Sequence, residues 1–370
     1  MSKLENRLVL DGIKHVKALK NTNKKIYGIM AHGLVPEELI CAAGGFPLRL
    51  SLAGDKNAGT KGIDYLTSAT CSFARSTVGQ FELKNDLYKE IDVIIAGNYC
   101  NGELCATEMI SHYFKIPNIS IVFPSAKTDS ALKFLVAELK HFEEDIEKFA
   151  GTEITEDQLT TAIELYNEER RLIQEVVKTQ TERGFILSGV ECLNLLYQHF
   201  LYGVESAIEN FKAVLKGMED KSPFEGNKKI IFAGSGVPIG DNIIQLIENK
   251  GFLVIKNLTW TGLDYYQSLV EGPAIDALAK YYLNAENSGR MILSDNYFAD
   301  LTKIFKESNA DGIIFYTIKY CSIFPSLIST RLKQALSDQK IPYLEIERDY
   351  GLTADAQLQT RIQAFKEMVE

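Results

Sequence analysis

The stretch DVIIAGNYC, residues 92–100, decides the fold class of this chain. Its first part, Asp92 to Ala96, is a short apolar run of the kind that forms a buried parallel strand. Residues 103–114 then have helical periodicity, and residues 118–123 are a second buried run. A strand, a helix and a strand in direct succession predict a parallel sheet with helices on both faces.

The same alternation occurs on both sides of a helical region. Before residue 92, the predicted elements are a strand at 25–30, a helix at 36–43, a strand at 47–52 and a helix at 71–83. From 125 to about 217, amphipathic helices rich in Glu, Lys and Leu follow one another. The alternation resumes with strands at 229–233, 252–255, 312–317 and 343–346 and helices near 262–270, 274–283, 297–306, 322–337 and from 354 onward.

We therefore predict an α/β protein with two Rossmann-like, parallel-sheet domains and a helical region between them. The expected boundaries are residues 1–124 for an N-terminal cluster-binding domain, 125–225 for the helical region and 226–370 for a C-terminal domain.

Composition excludes several classes of protein. Apolar residues make up 46% and charged residues 24% of the 370 residues, the balance of a soluble globular chain. The net charge of −9, without a basic patch, argues against binding to nucleic acid. Apolar runs such as Ile119 to Pro124 are far shorter than the roughly 18–20 residues that span a bilayer, and Met1 to Asp11 lacks the pattern of a secretory signal. We expect a cytoplasmic protein that binds neither nucleic acid nor membranes.

Three of the six cysteines share a position relative to the predicted elements. Cys71 begins a helix, and Cys100 and Cys321 each follow a strand. The carboxyl edge of an open α/β sheet is where ligands bind, and helix amino ends favour anions such as thiolates or a negatively charged cluster. Three thiolates from distant segments suit an iron–sulfur cubane. Zinc is the alternative, although Cys100 and Cys105 are spaced more widely than a usual zinc pair and no second pair completes a site.

Two glycine-containing stretches come close to nucleotide motifs. Gly54, Gly59 and Lys61 resemble a phosphate loop, but Thr60 separates the second glycine from the lysine and no Ser or Thr follows Lys61. Gly234 to Gly240 follows a strand, but its last glycine is one residue too far along for a dinucleotide fingerprint. We interpret this stretch as a tight turn and expect no ATP site in this chain.

Several short segments together match the pattern of a known family. They are Val35–Ile40, Ala42–Gly44 with Pro47, Cys71 with Phe73, Arg75 and Ser76, Gly97–Cys100, Ser188–Glu191, Tyr320–Cys321 leading to Arg331, Ile341–Pro342, and Glu345, Glu347 and Asp349. With these residues the chain resembles the 2-hydroxyacyl-CoA dehydratase and benzoyl-CoA reductase family over nearly its whole length, closest to the double-cubane cluster protein branch.

The resemblance implies two Rossmann-like domains, a cluster held by Cys71, Cys100 and Cys321, and an anaerobic oxidoreductase. A separate ATP-hydrolysing iron–sulfur activator would supply low-potential electrons. In the double-cubane branch the chain would form a homodimer and reduce a small molecule at an [8Fe-9S] cluster, with Cys41, Cys105 and Cys192 as further ligands. The alternative branch is a lyase, a 2-hydroxyacyl-CoA dehydratase of two unlike subunits, with one [4Fe-4S] cluster on three cysteines.

The resemblance leaves the substrate open. Asn101 stands where the family often has Asp, and Thr259–Gly262 replaces a more acidic stretch. Cys41 and Cys192 also lie in apolar helical sequence, where free cysteine commonly packs as a small hydrophobe.

Two residues are candidates for proton transfer to the substrate. His32 lies at the end of the first predicted strand, and histidine titrates near neutral pH. Glu38 is the second candidate, although Glu37 or Glu38 is also expected to stabilise the start of the helix that follows Pro36.

The sequence also leaves two other functions open. One is an electron-storage or cluster-carrier protein, and the other is a sugar- or nucleotide-binding protein with incidental cysteines.

Overall fold

Two four-stranded parallel sheets carry the fold. The computed structural model describes residues 3–32, 34–98, 100–272, 274–284, 295–321, 332–350 and 355–370. The first sheet has the order β2-β1-β3-β4 and the second the order β6-β5-β7-β8. The strands are β1 Ile26–Met30, β2 Phe46–Leu50, β3 Val93–Gly97, β4 Asn118–Ile121, β5 Lys228–Gly234, β6 Phe252–Asn257, β7 Gly312–Ile318 and β8 Tyr343–Arg348. The α/β class with two Rossmann-like halves is confirmed.

Helices cover both sheets and fill the region between them. They are α1 Lys3–Asn21, α2 Glu37–Ala42, α3 Lys56–Lys61, α4 Ser72–Glu82, α5 Asn101–Phe114, α6 Asp129–Ala150, α7 Glu156–Glu182, α8 Gly189–Met218, α9 Ile243–Glu248, α10 Ala274–Asn284, α11 Asp295–Ser308 and the C-terminal helix Asp355–Val369. The long helices α6, α7 and α8 occupy the segment for which amphipathic helices are predicted. The domain boundaries at 124 and 225 stay a prediction.

Side chains of the central strands enter two separate cores. Along β1, Ile26 and Met30 pack into one apolar cluster, while Tyr27 and Ile29 pack into another. This alternation follows from the two-residue period of a strand, and burial on both faces follows from the helices on each side. The sheet edge at the carboxyl ends of the strands is therefore held rigidly from two sides.

The structure differs from the sequence-based elements at three places. The helix predicted near 262–270 is wrong: only Leu263–Tyr265 forms a 3-10 turn. The reason is competing hydrogen bonds, since the Asp264 carboxylate accepts from the Asn257 amide at 3.1 Å and from Lys256 Nζ at 2.8 Å, which folds the chain back onto β6. Helices α1 and α3 were not predicted, and of the helix predicted at 322–337 only residues from 332 onward are described, which are helical.

The two halves of the chain join backbone to backbone at two glycines. Leu52 and Ile239 form a parallel bridge, and the Gly54 amide donates to the Ile239 carbonyl at 3.2 Å. A Cβ on Gly54 would lie 2.1 Å from the carbonyl carbon of Gly240, whose φ is +99°. These glycines of the two nucleotide-like stretches therefore permit a close approach of two chain segments, which explains them without a bound phosphate.

Replacement of Gly54 by alanine is expected to destabilise the protein by about 3 kcal/mol, the upper end of the range for overpacking, because backbone on the other side cannot move away. The measurement is the free energy of unfolding by urea. Gly217→Ala is the matched control, because a Cβ there meets nothing within 4 Å in a helix and should stabilise slightly. Equal unfolding free energies for the two variants would contradict this account of the junction.

In the part of the chain that the structure describes, no helix combines the length and the apolar character that crossing a bilayer requires.

Candidate functional site

The identical strand order of the two sheets places one switch point in each. In the first sheet β2 lies on one side of β1 and β3 lies on the other side. In the second sheet β6 and β7 flank β5 in the same way. The switch points therefore lie between β1 and β3 and between β5 and β7. Ligands of open α/β sheets bind outside the carboxyl ends of the strands at such points. Here the two switch points border a single cleft.

The cleft has a volume of about 470 Å³ counted to its open mouth. Its walls come from segments that follow β1, β3, β5, β6 and β7 and from the start of α4 and α5. The lining residues are His32, Cys71, Phe73, Ala74, Cys100, Gly102, Glu103, Ser235, Trp260, Ile318 and Cys321. The structure thus brings together Cys71, Cys100 and Cys321, which come from distant parts of the chain.

Local structure fixes each of these three thiols. Cys71 is the N-cap residue of α4, and Cys100 is the N-cap residue of α5. Backbone groups of the first helical turns act to lower the pKa of both thiols, those of Phe73 and Ala74 at Cys71 and that of Glu103 at Cys100. Cys321 lies in the turn after β7, where its amide donates to the Ile318 carbonyl at 3.0 Å. Oriented amides at helix starts stabilise negative charge, so the protein supplies an anion-binding frame around the thiols.

The pKa values of two thiols of the cleft, those of Cys71 and Cys100, are raised above the usual value. Burial raises the pKa of the Cys71 thiol to about 12, and the neighbouring Cys321 thiol adds to the shift. Burial also raises the pKa of Cys100, assisted by the charge of Glu103. No Lys or Arg is among the described residues that line the cleft. A bound metal centre would supply the missing positive charge, since metal-bound thiols are deprotonated.

The arrangement of donors distinguishes a cluster from a single ion. Within the described ranges, no group of three or more His, Cys, Asp or Glu side chains is close enough to share one metal ion. A structural zinc ion needs its thiolates about 2.3 Å away on all sides. A cubane instead takes each thiolate on a different iron, so its ligands stand further apart. Three cysteines from distant segments are thus a donor set of the kind that a cubane takes, with one thiolate for each of three irons.

His32 and Glu103 form a hydrogen-bonded pair on the wall of the cleft. His32 follows β1, and its Nδ1 contacts the Glu103 carboxylate, whose side chain is buried in the first turn of α5. This contact fixes the orientation of the imidazole ring, and it places a titratable group beside the three thiols. Sequence analysis missed Glu103, because an acidic residue in a first helical turn also has a purely structural explanation.

Glu38, the second proton-transfer candidate, lies outside the lining of the cleft. It is fully buried at the start of α2, where Arg170 Nη2 lies 2.5 Å from Oε1 and the Tyr282 hydroxyl donates to Oε2 at 2.8 Å. The neighbouring Glu37 pairs with Arg49 at 2.6 Å. Although burial acts to raise it, the charges of Arg49 and His199 lower the pKa of Glu37 to about 2. Both carboxylates serve buried ion pairs here.

The structure does not bring the remaining three cysteines to the cleft. Cys41 on α2 packs beside Tyr166, and burial raises the pKa of its thiol to about 11. Cys105 is exposed on α5. Cys192 on α8 lines a second cavity, and Gln180 Nε2 lies 3.6 Å from its sulfur. The structure describes all six cysteines, and they form no disulfide framework.

Trp260, the single tryptophan of the chain, closes one side of the cleft. Its ring lies 5.9 Å from that of Phe73 and 6.0 Å from that of Phe200, measured between centroids. A Cβ on Gly236 would lie 2.3 Å from the indole, so the second glycine of the turn after β5 makes room for this side chain. The result is an apolar wall in the cleft that the three cysteines line.

Comparison with known proteins finds relatives that match nearly the whole chain. The model of a family described as 2-hydroxyglutaryl-CoA dehydratase, D-component, matches residues 33–369. The chain is 26% identical to the (R)-phenyllactyl-CoA dehydratase beta subunit of Clostridium sporogenes, over 95% of this chain and 94% of the relative. It is 24% identical to the (R)-2-hydroxyglutaryl-CoA dehydratase beta subunit of Acidaminococcus fermentans, over 94% and 93%. It is 25% identical to one of the subunits of benzoyl-CoA reductase from Thauera aromatica, over 85% and 83%.

Proposed function

The chain belongs to the 2-hydroxyglutaryl-CoA dehydratase D-component family, and from this premise we propose that it is the iron–sulfur subunit of an enzyme that eliminates water from a 2-hydroxyacyl-CoA. The observation that carries the proposal is the convergence of Cys71, Cys100 and Cys321 on one cleft between the two sheets. Relatives that are named as beta subunits support a multi-component enzyme.

In this proposal the three cysteines hold one [4Fe-4S] cluster. A reduced cluster of this kind supplies single electrons at low potential to a bound substrate. The amides at the starts of α4 and α5 stabilise the negative charge of the thiolates, and Trp260 and Phe73 keep water out. His32, oriented by Glu103, donates a proton to the departing hydroxyl group. The electrons come from a separate ATP-hydrolysing activator, as the resemblance to the family implies.

A second candidate is the double-cubane reductase, a homodimer with an [8Fe-9S] cluster. The specific observation in its favour is the count of six cysteines. It requires Cys41, Cys105 and Cys192 as ligands, and these lie on α2, on the exposed face of α5 and on α8, apart from the cleft. We therefore favour the single cubane and an unlike partner subunit.

Iron content decides between these candidates. We expect about four irons and four acid-labile sulfides per chain in protein purified without oxygen, the content of one cubane. Zinc is measured in the same sample. About eight irons would favour the double cubane instead, and a colourless protein that holds zinc or no metal would overturn both.

Turnover separates an enzyme from an electron carrier. The full chain is combined with its partner subunit, the activator and ATP, and 2-hydroxyacyl-CoA thioesters are offered in turn. Formation of the unsaturated thioester only when all components are present supports the proposal. Cluster reduction without any product from any thioester would assign the chain to electron transfer alone.

A further inference from the structure

Arg75 is a buried arginine one turn beyond the first cysteine of the cleft. It is the fourth residue of α4, and its Nη2 donates to the Asp349 carboxylate at 3.1 Å. Both side chains are buried, so this ion pair is screened little by solvent. Asp349 directly follows β8, and the pair therefore connects α4 of the first half with the second sheet.

The remaining contacts of Arg75 flank two cysteines from different halves of the chain. Its Nε donates to the Thr70 carbonyl at 3.0 Å, and Thr70 directly precedes Cys71. Its guanidinium carbon lies 6.0 Å from the centroid of the Tyr320 ring, and Tyr320 directly precedes Cys321. One planar cation thus contacts the residue before each of two cleft thiols.

The backbone before Cys321 needs such support. Tyr320 has a φ of +63°, a left-handed conformation that is rare for a bulky residue and persists only where the surroundings hold it. The Ser72 amide donates to the Lys319 carbonyl at 3.3 Å, which adds a backbone link between the start of α4 and the same turn. The turn after β7 and the start of α4 therefore hold each other in place.

We propose that Arg75, paired with Asp349, is a positioning residue that fixes the separation between the sulfurs of Cys71 and Cys321, with its buried charge held against the residues that precede them. This inference rests on the proposed cluster in the cleft. A cubane accepts its thiolates at fixed separations, and residues behind metal ligands commonly change metal affinity when they are replaced. The charge acts on the cluster as well, because nearby charges set the reduction potential of an iron–sulfur centre.

The test compares four variants of the full chain, Arg75→Gln, Arg75→Lys, Asp349→Asn and the double variant Arg75→Gln/Asp349→Asn. Iron per chain, the rate of iron loss to a chelator and the midpoint potential are measured for each. Arg170→Gln is the matched control, because Arg170 is also buried and pairs with a carboxylate, that of Glu38, while its partners among the described residues are not neighbours of a cleft cysteine.

The charges predict opposite shifts in potential. Loss of the Arg75 charge lowers the potential, since reduction adds an electron, and loss of the Asp349 charge raises it. The double variant returns close to the wild-type value. Arg75→Lys keeps the charge and the potential but loses the fork to Thr70 and Asp349, so iron should be lost about 10- to 100-fold faster than from wild type. A merely structural pair would not produce this pattern of signs.

Each outcome bears on the proposal. If wild-type protein holds iron and the Arg75 and Asp349 variants match Arg170→Gln in potential and in iron loss, the positioning role is wrong while the proposed function stands. If wild-type protein holds no cluster, the proposed function fails first. Should Arg75→Gln fail to fold, the raised potential of Asp349→Asn and the faster iron loss of Arg75→Lys at unchanged potential still decide, and an unchanged potential in Asp349→Asn overturns the role.

Discussion

Replacement of Cys71, Cys100 or Cys321 by alanine removes the iron from the protein and abolishes turnover. Each thiol is one of the three cysteine donors that line the cleft, so the loss of one thiolate leaves one iron of the cluster without its cysteine ligand. We expect iron content to fall to background, a larger loss than the roughly 10- to 100-fold in metal affinity that is usual for residues behind metal ligands. Iron and acid-labile sulfide are measured on variants purified without oxygen.

Serine and alanine variants separate the loss of a ligand from the loss of packing. Cys71→Ser keeps the volume of the buried side chain but supplies a poor donor to iron, so it should lose iron nearly as fully as Cys71→Ala. Cys105→Ala is the matched control, because Cys105 is exposed one turn beyond Cys100 on the same helix. Full iron content in any variant of the three cleft cysteines would contradict the assignment.

Cys192→Ala extends this prediction to the cluster type. Its sulfur lines the second cavity beside Gln180, apart from the cleft. A single cubane should keep all of its iron in this variant, whereas a double cubane should lose about half or more. Cys41→Ala is read in the same way, with some loss of stability from the packing next to Tyr166.

The placement of the three cleft thiols follows from information that is local in the sequence. Buried parallel strands such as β3 are visible as short apolar runs, and a residue just beyond such a run lies at the carboxyl edge of the sheet. Cys100 and Cys321 each stand three residues after the end of a strand, at Gly97 and Ile318. The strands β3 and β7 hold equivalent places in two sheets of the same strand order, so Cys100 and Cys321 reach the cleft from equivalent positions.

Other features depend on contacts between distant segments, which one sequence does not reveal. Arg75 and Asp349 are 274 positions apart, and Glu38 finds Arg170 132 positions away. Glu38 is a reasonable candidate from its place at a helix start, yet its ion pair takes it out of the cleft lining. The need for glycine at positions 54 and 240 likewise becomes apparent only once the two halves of the chain are in contact. Local periodicity in the sequence predicts the helices and strands. Contacts between distant segments decide which polar residues form buried ion pairs and which ones line the cleft.

Replacement of His32 by glutamine is expected to reduce turnover by about 10²- to 10⁴-fold, the usual contribution of a general acid or base. The glutamine amide is able to donate to the Glu103 carboxylate as the imidazole does, so the wall of the cleft keeps its hydrogen bond while the group that delivers a proton is lost. Iron content and the midpoint potential should therefore stay at the wild-type values. The measurement is the rate of product formation with saturating activator, ATP and thioester.

The hydrogen bond between His32 and Glu103 allows a second test of this prediction. Because Glu103 acts through the orientation of the His32 ring, Glu103→Gln should cost less turnover than His32→Gln, and the double variant should be no slower than His32→Gln alone. His112→Gln, on the far end of α5, is the control and should turn over as wild type does. Additive losses in the double variant would mean that Glu103 acts on the substrate or the thiols directly. Wild-type turnover in His32→Gln would mean that the proton comes from the partner subunit or from the substrate itself.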